Sequence, residues 1–456
     1  MFLKKTISTM LRGNQHPAAL NESMTACGVG ERNVVEISCL CCCKKHSLRV
    51  WQSILISLCS LLLVPCSFIS CRGDDIVFPA EYETLPIEAR AESSFAPNEP
   101  IGMYLLNEGN MGSNKATIDY LDFSKGIYIR NIYGERNPNV IKELGDVGND
   151  IQVYGNRLYA VINCSHKVEV MDLRTCRRIG QIDIPNCRYI RFHEGKAYVS
   201  SYVGPVSIDP DAQLGAIFEV DTATLRITRK VTVGYQPEEF EIIDNYLYVA
   251  NSGGYRAPDY DSTVSVVDLS DFRQVKKIPV CVNPHRVRKD QYNQLWITSR
   301  GDHKDVQPQL VCLQPISNSS SERPIGGTLS NSHTVASYNI SPSEMVILGD
   351  SMYFYGVHWS DETMSNQITY GVFNIQNSLP FREGAGVGSS LITDGTEQNI
   401  KIPYGIQVNP YNGDIYVTDA KNYVSSGQLH CYSRDGKRKW SVRTGDIPAH
   451  MCFVYR

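Results

Sequence analysis

The chain lacks an excess of charge of either sign: 44 Lys and Arg stand against 48 Asp and Glu, for a net charge of -4. Without a basic patch there is no electrostatic footprint for a nucleic-acid partner. Long hydrophobic runs are scarce as well, and the one from Ile54 to Val64 is too short for a comfortable membrane span. No HExxH or GxSxG motif occurs, so no hydrolase signature is present. Cysteine is also thin where it would matter. Eight of the 15 lie at or before Cys71, and the remaining seven (Cys164, Cys176, Cys187, Cys281, Cys312, Cys431 and Cys452) are odd in number with no CxxC spacing. They sit mostly within apolar strands, where a thiol acts as a small hydrophobe rather than half of a disulfide scaffold.

What the chain does have is a repeat. Seven hydrophobic segments are centred on an aromatic residue, at Tyr104, Tyr159, Tyr198, Tyr248, Trp296, Tyr353 and Tyr416, in steps of 55, 39, 50, 48, 57 and 63 residues. Each interval holds several short strands, the spacing of propeller blades. An all-β, seven-bladed propeller over residues 101–456 is expected. Residues 238–284 show one unit: Phe240 to Ile243, a turn at Asp244-Asn245, Tyr246 to Ala250, Thr263 to Asp268, and Val275 to Val280. Asp172, Asp221 and Asp268 recur at one position, where an aspartate opens a turn by bonding its own backbone. The first repeat lacks an inner strand, whereas Met451 to Tyr455 is an orphan strand. The C-terminal strand should therefore pair inside the N-terminal blade and close the ring, which also removes a sheet edge.

The region before the repeat differs in kind. Lys44-Lys45-His46-Ser47-Leu48-Arg49 precedes the apolar run as the basic part of a secretory signal, so residues 1–71 read as a signal region. Cys66 follows Pro65, a poor context for a peptidase; Cys71 follows the small Ser70 and is the expected lipidation site. A signal so far inside the chain fits a translation start later than Met1, with 1–43 an over-extension. Cys39, Cys41, Cys42 and Cys43 have no His or Cys partner at zinc spacing. Residues 72–100, rich in Glu, Pro, Ala and Ser, are expected to form a flexible tether.

In a four-stranded blade the second-to-third and blade-to-blade connections share one face. Here the long connections fall on it: Gly204 to Gly215, Asn251 to Ser262, Ser299 to Gln309, His358 to Asn366, and Asp419 to Gly427. All the elaboration is expected on that face, where a rigid scaffold presents binding groups. The candidate ligand-binding residues there are Asn107, Glu108, Asn110, Asn163, Tyr202, Asn251, Tyr255, Arg300, His358, Trp359, Asp419 and Tyr423. The blade junctions approaching the axis add Arg188, Glu239, His285, Tyr404 and His450. Aromatic faces with amide donors suit a polar ligand that has large apolar faces.

Tyr246-Leu247-Tyr248-Val249-Ala250-Asn251, Gly413-Asp414-Ile415-Tyr416-Val417-Thr418-Asp419 and Val233-Gly234-Tyr235-Gln236-Pro237 resemble the YVTN/YncE-like seven-bladed propellers. Leu105-Leu106-Asn107-Glu108-Gly109-Asn110, Asp446-Ile447-Pro448-Ala449 and the acidic Arg72-Gly73-Asp74-Asp75 resemble the Bacteroides surface-lipoprotein branch, which includes the cobalamin-capturing BtuG. That resemblance implies an outer-membrane, lipid-anchored, non-catalytic protein, with a corrinoid such as cobalamin as ligand and a TonB-dependent transporter as partner. No catalytic residue, metal or cofactor is expected on that reading. Two others stand beside it. One is a metal-dependent lyase or lactonase holding its cation with Glu108, Glu239, His285 and His450; the other is a protein-interaction platform.

Overall fold

The structure is a computed structural model, described here over residues 79–140, 144–315, 335–338, 340–360, 363–375 and 390–456. These residues form seven antiparallel sheets arranged as a propeller. Blade 2 runs outward through Gly148–Tyr154, Arg157–Ile162, Lys167–Asp172 and Arg178–Asp183. Blades 3, 4, 5, 6 and 7 begin with the inner strands Cys187–His193, Pro237–Ile243, Pro284–Lys289, Glu344–Leu348 and Pro403–Val408. All seven aromatic-centred segments are second strands. A second strand is covered by its neighbours on both faces, and Leu158 to Ile162 are buried without a break. That double burial is why these strands read as continuous apolar runs.

The core is divided among the blade interfaces. Val168 and Val170 of blade 2 pack on Ile190 and Val199 of blade 3, and Val264 and Val266 of blade 4 on Val287 and Ile297 of blade 5. Each such side chain contributes about 1.5–3 kcal/mol by leaving water. The turn aspartates behave as expected: Asp172 accepts the N–H groups of Arg174 and Thr175 at 3.1 and 2.9 Å.

The ring closes as expected. Pro448–Val454 is the innermost strand of blade 1 and pairs with Gly102–Asn107, Met451 opposite Leu105 and Val454 opposite Gly102. Outward follow Thr117–Asp122, Ile127–Arg130 and, unexpectedly, Glu81–Thr84 as a fifth strand.

Three expectations need correction. Of the segment expected as a tether, the described part from residue 79 is docked: Tyr82 pairs with Ile129, and Leu85 and Phe95 are buried in the core of the first blade. An outer edge strand needs backbone pairing more than apolar side chains, so its polar composition misled. Next, His358 and Trp359 are not in a loop. They sit opposite Gln367 and Asn366, near the end of the hairpin formed by Ser351–Ser360 and Ser365–Asn374. Finally, not all elaboration shares one face. The third and fourth strands of blade 5, Leu310–Leu313 and Val335–Tyr338, pair Leu313 with Val335, so a long stretch of chain leaves and re-enters that blade at the end opposite the second-to-third connections. Cys71 lies outside the described residues, as does the whole signal region.

Candidate functional site

One local device builds the tunnel mouth blade after blade. The residue before the inner strand adopts a left-handed backbone at Val147, Asn186, Gln236, Asn283 and Ile447. For Val147 and Ile447, which are β-branched, that conformation is strained. The carbonyls of these residues accept the N–H of the residue leaving the second strand: Asn163, Tyr202, Ser252, Arg300 and Glu108, at 2.8–3.2 Å. A bulge follows. Pro237 is opposite Asn251 and Phe240 opposite Val249, so Glu238 and Glu239 together face the single Ala250. The same shift occurs at Pro284 and Pro403. A bulge turns two consecutive side chains toward the axis where a regular strand would turn one.

The mouth therefore gathers side chains from several blades. Arg188 donates from Nε and Nη2 to Glu238 Oε2 at 3.1 and 2.9 Å, and Tyr202 donates its hydroxyl to Glu238 Oε1 at 2.6 Å. Burial is the largest influence on Glu238 and opposes its charge, but Arg188 and Arg300 outweigh it and hold its carboxyl below the ordinary range. Arg300 donates from Nη2 to His285 Nε2 at 2.8 Å. Burial, then Arg300, pushes the His285 pKa well below its usual value, so the ring is neutral. Tyr404 donates to Glu108 Oε2 at 2.7 Å, and His450 Nε2 lies 4.0 Å from Glu108 Oε1. Burial raises the Glu108 pKa to about 7 against the pull of Tyr404 and the arginines. Burial likewise keeps His450 neutral. Two edge-to-face tyrosine pairs flank this group, Tyr202 with Tyr255 and Tyr404 with Tyr423.

Below the mouth an ionic layer spans the tunnel. Glu239 accepts from Arg286 at 3.1 Å and also pairs with Arg288, while Glu344 lies 2.7 and 2.9 Å from the same two arginines. Arg191 bridges Asp150 and Glu241 at 3.1 and 3.4 Å. Arg286 also donates to the Tyr189 hydroxyl at 2.6 Å. Beyond this layer lies a cavity of about 570 Å³ lined by Gln152, Glu241, Arg288, Gln407 and Phe453, among others. Beside the mouth is a smaller one, about 160 Å³, bordered by Tyr202, Pro205, Gln213 and Gln236.

The profile of a domain of unknown function, DUF5074, matches residues 101–446. This chain belongs to the DUF5074 family. No curated protein matches it in sequence. A quinoprotein alcohol dehydrogenase-like protein of Bacteroides thetaiotaomicron is similar in structure, with a TM-score of 0.50 and 14% identity, covering 79% of this chain and 79% of that one. A hypothetical selenium-binding protein of Sulfolobus tokodaii gives a TM-score of 0.51 at 10% identity, covering 78% and 94%. At such identities the likeness is one of fold alone.

In this DUF5074 propeller the structure separates the candidate residues into groups. Glu108, Arg188, Tyr202, Tyr255, His285, Arg300, Tyr404, Tyr423 and His450 come together at the mouth. Asn107, Asn163, Asn251 and Asp419 do not join them; they are buried and bond locally, Asn251 for instance to Thr263 and Ser265 at 3.0 and 2.9 Å. Asn110 is half-buried in the loop after Gly102–Asn107, its carbonyl accepting from Ser113. His358 bonds Ser341 on the blade 6 hairpin. Glu239 belongs to the ionic layer rather than the mouth, so the four residues named for a metal set are divided between two levels. No trio of His, Cys, Asp or Glu converges as a metal-ligand group among the described residues.

Sequence reasoning missed Tyr189, Glu238 and Arg286, each adjacent to a residue it chose. A regular strand turns only one of two neighbouring side chains inward, whereas the bulge brings both members of each pair to the axis. The repeated phrase of polar pair, apolar residue, polar residue was the available signal: Glu238-Glu239-Phe240-Glu241 and His285-Arg286-Val287-Arg288.

Proposed function

We propose that this protein is a non-catalytic ligand-binding propeller that captures a small molecule at the long-loop mouth of its tunnel. The observation that carries this reading is the convergence there of two tyrosine pairs with Arg188, Arg300, Glu108 and His285, drawn from several blades. Amphipathic rings and directed donors give contact area and specificity at small entropy cost. The ionic layer beneath favours binding over chemistry, since its carboxylates are occupied by arginines.

The setting we propose is the bacterial surface, with the lipid anchor at Cys71 and a TonB-dependent transporter receiving the cargo, in the YncE-like branch that includes BtuG. Support comes from the signal region and the strand phrases. A corrinoid is the ligand that this resemblance suggests.

Isothermal titration of the purified protein with cobalamin, cobinamide and a glycan panel tests the reading. Binding of a corrinoid, weakened by Tyr255→Ala by more than about 1–2 kcal/mol as expected for an anchoring aromatic, supports it. Absence of binding across the panel argues against a corrinoid or glycan cargo. Labelling with a radioactive fatty acid, lost in Cys71→Ala, tests the anchor.

A further inference from the structure

Among the charged side chains of the mouth, Arg300 is the least engaged. Glu238 is engaged on both oxygens: Oε2 takes two N–H groups of Arg188, and Oε1 takes the Tyr202 hydroxyl. Arg300 Nη1 stands 3.7 Å from Oε1, beyond hydrogen-bond length. Among the described residues its one side-chain bond within hydrogen-bond range runs from Nη2 to His285 Nε2. A guanidinium presents five donors, and this side chain remains 37% exposed.

The charge count points the same way. One carboxylate, Glu238, lies within ion-pair distance of both Arg188 and Arg300, while His285 and His450 are neutral. Glu108 is the other acid at the mouth, but burial keeps it only partly ionised near neutral pH. With one carboxylate between two guanidiniums a positive charge is left over, and Arg300 is the more loosely held of the two. The two tyrosine pairs stand on either side of this cluster, Tyr202 beside Glu238 and Tyr404 beside Glu108.

We propose that the captured ligand carries an oxyanion, a carboxylate or phosphate, on a flat apolar group, with Arg300 gripping the oxyanion through its unused N–H fork and the tyrosines holding the flat part. Planar bidentate donation is what a guanidinium offers and an ammonium does not. The inference rests on the capture reading above and specifies the ligand's chemistry.

The test is calorimetric titration of the full purified chain with phenyl phosphate, benzoate, inorganic phosphate and neutral benzamide. We expect phenyl phosphate or benzoate to bind about tenfold or more tightly than benzamide, the scale of a charge-assisted hydrogen bond. Which of the two binds distinguishes phosphate from carboxylate. Arg300→Gln should remove that preference, and Arg300→Lys should restore only part of it; circular dichroism confirms that both variants fold. Equal binding of benzoate, phenyl phosphate and benzamide, no binding of any anion, or an unchanged affinity in Arg300→Gln overturns the proposal. Inorganic phosphate binding as tightly as phenyl phosphate overturns the flat-group part. A corrinoid or glycan that binds wild type and Arg300→Gln equally leaves capture standing and removes the oxyanion. Anion binding with no response to that panel keeps the oxyanion and removes the corrinoid.

Discussion

Glu108 and Glu239 are both carboxylates near the axis, yet their surroundings push them in opposite directions. Glu108 has a raised pKa because burial outweighs the help of Tyr404, whereas Glu239 is held low by Arg288 and Arg286 despite its burial. A raised folded-state pKa makes its contribution fully present below the unfolded value of 4.5, and lost as pH rises through about 7. Glu108→Gln should therefore gain stability relative to wild type across that window, on the order of 3 kcal/mol, measured by urea denaturation at several pH values. For Glu239 the sign reverses: its contribution is present above the ordinary carboxylate range and lost as pH falls through the depressed value. Removing its charge leaves Arg286 and Arg288 to share the single carboxylate of Glu344. Glu239→Gln should cost about 3–5 kcal/mol near neutral pH, read as a lower denaturation midpoint. Sequence flagged Glu239 at a blade junction near the axis and Glu108 on a connection beside it, but could not rank them, since burial and ion pairing depend on neighbouring blades.

At the scale of elements, the segment before residue 101 is where composition and structure part. Polar, proline-containing residues suggest a stalk, but Glu81–Thr84 pairs with Ile127–Arg130, and Phe95 inserts into the blade 1 core. A chain starting at residue 100 should be less stable than one starting at residue 79 by about 3–5 kcal/mol, the usual cost of emptying a buried aromatic site. Equal melting temperatures for the two would contradict the docking. The inner strands teach a related lesson. Their position was legible from prolines at 237, 284, 403 and 448, while the bulge that doubles their axial side chains was not, because a bulge is defined by the register of the partner strand.

For the whole molecule, closure is the decisive event. Without Pro448–Val454, blade 1 would expose Gly102–Asn107, whose residues are all buried in the intact ring, as a free apolar edge. Deleting residues 448–456 should give aggregated protein, seen as loss of the monomer peak in size-exclusion chromatography, since open edges recruit other strands. The sequence by itself determined the number of blades and the closure, because both follow from local periodicity and from one strand missing at one end and spare at the other. Tertiary structure alone decided which polar residues serve the mouth. Asn107 and Glu108 are neighbours in the chain, yet one is sealed within the sheet and the other faces Tyr404 across 296 positions. That difference arises from how seven sheets meet at an axis, and no single stretch of chain records it.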